Sequence, residues 1–191
     1  RRLEVAFWLV AVAAFFVSAS ETHNRKNVNR GIAEHLERFR PLAARARADG
    51  VLLRAYVSTV CGCPYEGDVA QGAVVELVRS LDALGADEIS LGDTIGVGHP
   101  RQVRELVRAV ADAVALERVA LHLHDTWGRA LANVQAGWEA GIRTFVTSDV
   151  YGNGKADELL GRALKGVDRS TYSLVGMIGR LIAATKLFLD A

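Results

Sequence analysis

The sequence predicts an α/β fold, an incomplete (β/α)8 TIM-barrel-like parallel sheet of about five βα units plus a C-terminal helix. Three observations predict it. Apolar β-like runs alternate with amphipathic helical stretches, and the runs are apolar at nearly every position, as strands of a covered parallel sheet are. No G-x-G-x-x-G follows the first run, which argues against a dinucleotide-binding open sheet. Polar and special residues gather where several strands end, at Ser20–Glu21, Cys61–Cys63, Asp93–Thr94 and His122–Asp125. A TIM barrel builds its site at that end of its strands.

The elements follow in order. The apolar run Val5–Val17 comes after two arginines and before small residues. A secretory signal peptide shares that pattern with a long buried strand, and the run is too short to span a bilayer. Glu4 does not suit the basic start of a signal, so the strand is the preferred reading. Val28, Ile32, Leu36, Phe39 and Leu42 recur at helical spacing, with Pro41 expected to kink or break that helix. Residues 51–58, 86–93, 118–125 and 142–147 read as the next four strands. Between them, Val69–Leu84, Pro100–Val114 and Leu131–Trp138 carry helical stripes, with Pro100 at a first helical position. Residues 155–165 are helical, and Leu174–Leu189 reads as one more apolar helix through Leu174, Ile178, Leu181, Ile182 and Leu187.

Composition narrows the function. A chain of 191 residues holds one domain with a real core. A net charge of +1 and 7% aromatic residues give no footprint for nucleic acid or an anionic membrane. Cys61 and Cys63 are the only cysteines and lie too close in sequence for a disulfide framework, so a reducing, cytoplasmic location is expected.

Three motifs carry chemistry. In "LHLHDTWG", His122 and His124 are two residues apart on a strand and project to one face, which suits two ligands of one divalent metal. The alternative is a pair of strand histidines satisfied by hydrogen bonds. Asp125 falls on the opposite face, where it caps the next helix or orients an imidazole. In "SLGDTIGVGHP", Asp93 ends a strand beside glycines, as an acid/base group over a substrate or as a turn cap. In "STVCGCPYEG", a cysteine contacts substrate, acts as a nucleophile or fills a small buried site. Nothing nearby activates a thiolate.

These stretches, together with "SASETHNRKNVNR", occur in an order and at spacings that resemble the 3-hydroxy-3-methylglutaryl-CoA lyase family over about residues 17–145. The resemblance implies a metal-dependent TIM-barrel lyase that cleaves an acyl-CoA by retro-Claisen chemistry to acetyl-CoA and acetoacetate. It implies His122 and His124 as ligands of Mg²⁺ or Mn²⁺, with His122 also near the reacting hydroxyl. It implies Asp93 as an acid/base group and Ser20 and Cys63 close to substrate.

The family's Arg-Asp pair, its next-strand Glu and its glycine-rich cysteine loop have no counterpart here, which implies an incomplete site and impaired activity. On the same resemblance, Asn153 in "YGNGKADELL" is the candidate to stand in for the family's Asn metal ligand. Residues 147–179 resemble a segment of aldo-keto reductases, which implies an NADPH oxidoreductase as the alternative, with Tyr151 at the catalytic tyrosine. On these resemblances, residues 1–145 form a lyase-like partial barrel and residues 146–191 a divergent segment packing on the same domain. A non-catalytic barrel fragment is the third reading. Unpaired sheet edges in a partial barrel are expected to drive homo-oligomerisation.

Overall fold

The computed structural model describes residues 12–148 and 151–177. Most of the apolar run Val5–Val17 and all of the tail after Met177 lie outside the described residues. The sheet has six parallel strands whose spatial order equals their order in the chain: β1 (Val12–Ser18), β2 (Leu52–Ser58), β3 (Glu88–Asp93), β4 (Val119–Leu123), β5 (Thr144–Ser148) and β6 (Ser173–Met177). Helices α1 (Glu21–Val28), α2 (Ile32–Ala48), α3 (Gln71–Leu84), α4 (Pro100–Ala111), α5 (Ala130–Glu139) and α6 (Lys155–Ala163) connect them. This is the partial βα barrel the alternation predicts.

Four details differ from expectation. The stripe from Val28 to Leu42 is two helices, because Asn29 adopts a left-handed conformation (φ 55°) that ends α1. Glu21 then caps α2 by accepting the Ile32 N–H at 3.0 Å. Helix α2 runs through Pro41 to Ala48. Pro41 and Glu37, whose carbonyl loses its helical partner there, are both exposed, so water can satisfy that carbonyl. Leu42 is exposed and does not extend the buried stripe. Finally, the start of the expected C-terminal helix is strand β6, which pairs in parallel with β5 from Thr144↔Ser173 to Ser148↔Met177.

Alternation sorts the strand residues onto two faces. On one face Phe15, Val17, Ala55, Val57, Ile89, Leu91, Val119, Leu121 and Phe145 pack against the helices, including Val78, Leu81, Leu106 and Val107. Truncating a fully buried leucine there, such as Leu81 or Leu91, costs about 2–5 kcal/mol. The other face carries Phe16 stacked on Tyr56 with centroids 4.7 Å apart, the Arg54–Glu88 pair, Ser90, Ala120 and Val146. The register brings the C-terminal strand ends level, with Ser18 beside Ser58 and Gly92 beside His122.

Candidate active site

Each polar cluster of the sequence lies at that common end. Strand β4 delivers His122, and His124 follows just past its last residue. Their Nε2 atoms are 3.0 Å apart, so both rings turn to one side as alternation requires. Burial, then the neighbouring His124, pushes His122 down to about 4. At neutral pH the His122 imidazole is therefore uncharged and keeps a lone pair for a ligand or a proton. Asp125 is exposed and accepts the Ala130 N–H at 2.8 Å, so it caps α5.

The pair fits a divalent cation. Adjacent corners of an octahedron with ligands at ~2.1 Å lie about 3.0 Å apart, the separation the two Nε2 atoms already hold. Neutral imidazole nitrogens suit such ions, and an incoming ion competes only for the shared proton. Among the described residues no group of three His, Cys, Asp or Glu side chains gathers to hold a metal. Asn153 belongs to a short 3₁₀ turn, Tyr151–Gly154, but its side chain lies outside the described residues.

Tyr151 stands over the pair, with its ring centroid 5.5 Å from that of His122 and 5.9 Å from that of His124. Burial raises its phenol above the usual range. Sequence reasoning met Tyr151 only through the aldo-keto reductase resemblance, and no spacing signal ties it to β4. A cavity of about 480 Å³ opens beside it, bordered by His124 and lined mainly by apolar side chains that include Leu123, Val134, Phe145 and Leu160.

Asp93 is fully buried, and by alternation it falls on the helix-packed side of β3 rather than with His122. Its Oδ2 accepts the Gly98 N–H at 2.9 Å, and its Oδ1 is buried with no hydrogen-bond partner. Burial raises the carboxyl above its usual range, against hydrogen bonds from backbone N–H groups and the attraction of His124. Gly98 must be glycine here, since a Cβ would sit 2.8 Å from Asp93 Oδ2 and 2.9 Å from Cys61 Sγ. Cys61 is buried, and burial beside Asp93 pushes its thiol up to about 12, so it is no nucleophile.

Ser20 and Cys63, 43 residues apart, do meet: the Cys63 thiol donates to Ser20 Oγ at 3.0 Å, and Ser20 Oγ also accepts the His23 N–H to cap α1. Hydrogen bonds from Thr22 and Ser20 hold the Glu66 carboxyl below its usual range. The structure thus assembles two local groups, Ser20 with Cys63 and His122 with His124 and Tyr151. Asp93 lies on β3, the strand between β2 and β4.

A fold of βα units with its polar residues at the C-terminal strand ends is that of a partial TIM-barrel domain. The chain belongs to the HMGL-like family, whose profile matches residues 8–163. It is 47% identical over 139 residues to the 3-hydroxy-3-isohexenylglutaryl-CoA/hydroxy-methylglutaryl-CoA lyase of Pseudomonas aeruginosa, covering 73% of this chain and 46% of that protein. The crystal structure of hydroxymethylglutaryl-CoA lyase from P. aeruginosa superposes with a TM-score of 0.72 at 40% identity, covering 83% of this chain and 58% of that one. An HMG-CoA lyase from Acinetobacter baumannii, solved with coenzyme A and 3-methylmalate, gives a TM-score of 0.66 at 34% identity, covering 69% and 43%. The chain spans about half the length of the curated relatives it matches.

The family match continues past 145 and takes in Lys155–Ala163. That stretch lies within residues 147–179, which resemble a segment of aldo-keto reductases. No helix among the described residues is long and apolar enough to cross a membrane.

Proposed function

We propose that the chain provides carbon–carbon lyase machinery of the hydroxymethylglutaryl-CoA lyase type, acting on a 3-hydroxy-3-methylglutaryl thioester of coenzyme A. The observation that carries this reading is the convergent His122–His124 pair at the end of β4 in a chain of this family. His122 and His124 would hold a divalent ion, Mg²⁺ or Mn²⁺, with Asn153 as a further ligand. Such an ion would supply Lewis-acid polarisation of the substrate's oxygens.

The chain's own residues bind, orient and move protons. His122, uncharged at neutral pH, would give its Nε2 lone pair to that ion and stands near the tertiary hydroxyl, whose proton leaves to solvent. Cleavage of the adjacent C–C bond releases acetoacetate and leaves the enolate of acetyl-CoA, which must gain a proton. Asp93, which burial biases towards its protonated form, carries protons in this exchange. Ser20 and Cys63, joined by their hydrogen bond, line the substrate. Free Cys61 and Cys63 suit the reducing cytoplasm, and the edges β1 and β6 are where copies of the chain associate.

A single-turnover assay tests the reading. Hydroxymethylglutaryl-CoA with Mn²⁺ yields acetoacetate, EDTA abolishes the product, and His122→Ala with His124→Ala abolishes both product and Mn²⁺ binding by calorimetry. Mn²⁺ binding that survives in the double variant overturns the metal assignment. Intact binding without acetoacetate overturns the lyase assignment.

A further inference from the structure

Thr59 is a fully buried, β-branched residue held at φ 63°. L-residues other than glycine rarely adopt that conformation, and for a β-branched side chain it is a true outlier. Such strain persists only where the surroundings over-determine it. Three hydrogen bonds do so. The Thr59 N–H donates to Thr94 Oγ1 at 2.7 Å, Thr59 Oγ1 donates to the Ser58 carbonyl at 2.6 Å, and it lies 2.8 Å from Ser18 Oγ.

The single hydroxyl proton of Thr59 is committed to Ser58, so Ser18 is the donor to Thr59. Ser18 Oγ in turn accepts the Ser20 N–H at 3.2 Å, and Ser20 Oγ receives the Cys63 thiol. On the other side, Thr94 follows Asp93 directly. The backbone of the same turn reaches β3 as well, because the Val60 N–H donates to the Gly92 carbonyl at 3.1 Å.

We propose that Thr59 is a positioning residue that couples the Ser20–Cys63 group to the Asp93 turn. It rests on the reading of Ser20, Cys63 and Asp93 as site residues. Its strained backbone aims the N–H at β3 while its hydroxyl reaches β1, so one residue sets the spacing of three strand ends. An unstrained residue at 59 presents those groups in other directions.

The test reads thiol exposure rather than catalysis, so its failure is separate from failure of the lyase reading. Cys63 alkylation by iodoacetamide is followed in the whole chain, resolved from Cys61 by tandem mass spectrometry, with thermal unfolding recorded in parallel. Thr59→Gly relaxes the backbone and removes the hydroxyl. Cys63 alkylates about tenfold faster, the size expected for loss of one to two buried hydrogen bonds, while the unfolding midpoint holds or rises.

Thr59→Ser keeps the hydroxyl and retains the wild-type alkylation rate. Thr94→Ala leaves Thr59 in place but strips its N–H of a partner, and it also speeds alkylation of Cys63. Thr59→Gly with wild-type alkylation, or Thr59→Ser as fast as Thr59→Gly, overturns the proposal. Should Thr59→Gly fail to fold, an unchanged Cys63 rate in Thr94→Ala overturns it alone.

Discussion

Arg54 and Glu88 face each other across β2 and β3, with Nε 2.6 Å from Oε1, on the sheet face turned away from the helices. About a fifth of each side chain is exposed. Breaking a fully buried pair costs ~3–5 kcal/mol, and partial solvent access reduces that. Arg54→Met is expected to destabilise by about 1–3 kcal/mol in urea denaturation, because Glu88 is left unpaired. Adding Glu88→Leu restores most of the loss. A double variant no more stable than the single would show that packing, not charge, sets the cost.

The His pair makes stability pH-dependent. His122 titrates at 6.5 when unfolded and at about 4 when folded, so the folded state resists its protonation. Its contribution is complete above pH 6.5 and is lost as pH falls through about 4. The wild-type protein should lose up to about 3 kcal/mol relative to His122→Gln over that window. Urea unfolding with EDTA present, at pH 8, 6 and 4, measures it, and parallel curves for the two proteins would refute it.

Gly98→Ala pushes a methyl towards Asp93 Oδ2 and Cys61 Sγ, both in buried, packed surroundings. Overpacking of this kind is expected to cost about 1–3 kcal/mol. Thermal denaturation reads the loss. Gly72→Ala, in α3 where a Cβ meets nothing within 4 Å, serves as the comparison that holds or gains stability.

Association follows from the sheet edges. Strands β1 and β6 each pair on one side only among the described residues. Parallel edges of this kind template pairing with another chain. Sedimentation at low micromolar concentration is expected to show species larger than a monomer, and a stable monomer with cooperative unfolding would contradict it.

Much of the fold was legible because its signals are local. Apolar runs such as Val119–Leu121 mark buried strands, and Pro100 behind His99 marks the start of α4, where His99 Nδ1 accepts the Gln102 N–H. The His122–His124 convergence follows from strand alternation alone. What stayed hidden depends on contacts distant in sequence. Ser173–Met177 carries the start of a helical stripe, yet pairing with β5 makes it a strand. Tyr151 reaches the imidazoles from the 3₁₀ turn Tyr151–Gly154, and Thr59 takes φ 63° only because β1 and β3 hold it. Asn29 ends a helix inside an unbroken apolar stripe, a turn that asparagine permits but does not announce.

The identity of spatial and sequence order in the sheet bears on how the chain is made. Each strand pairs with the one synthesised just before it, and no later strand inserts between two earlier ones. A nascent chain can therefore lay down β1, then β2 with its helices, and so on, each unit docking on a finished edge as it leaves the ribosome. No contact within the described sheet has to wait for a distant segment, so growth of the sheet keeps pace with translation.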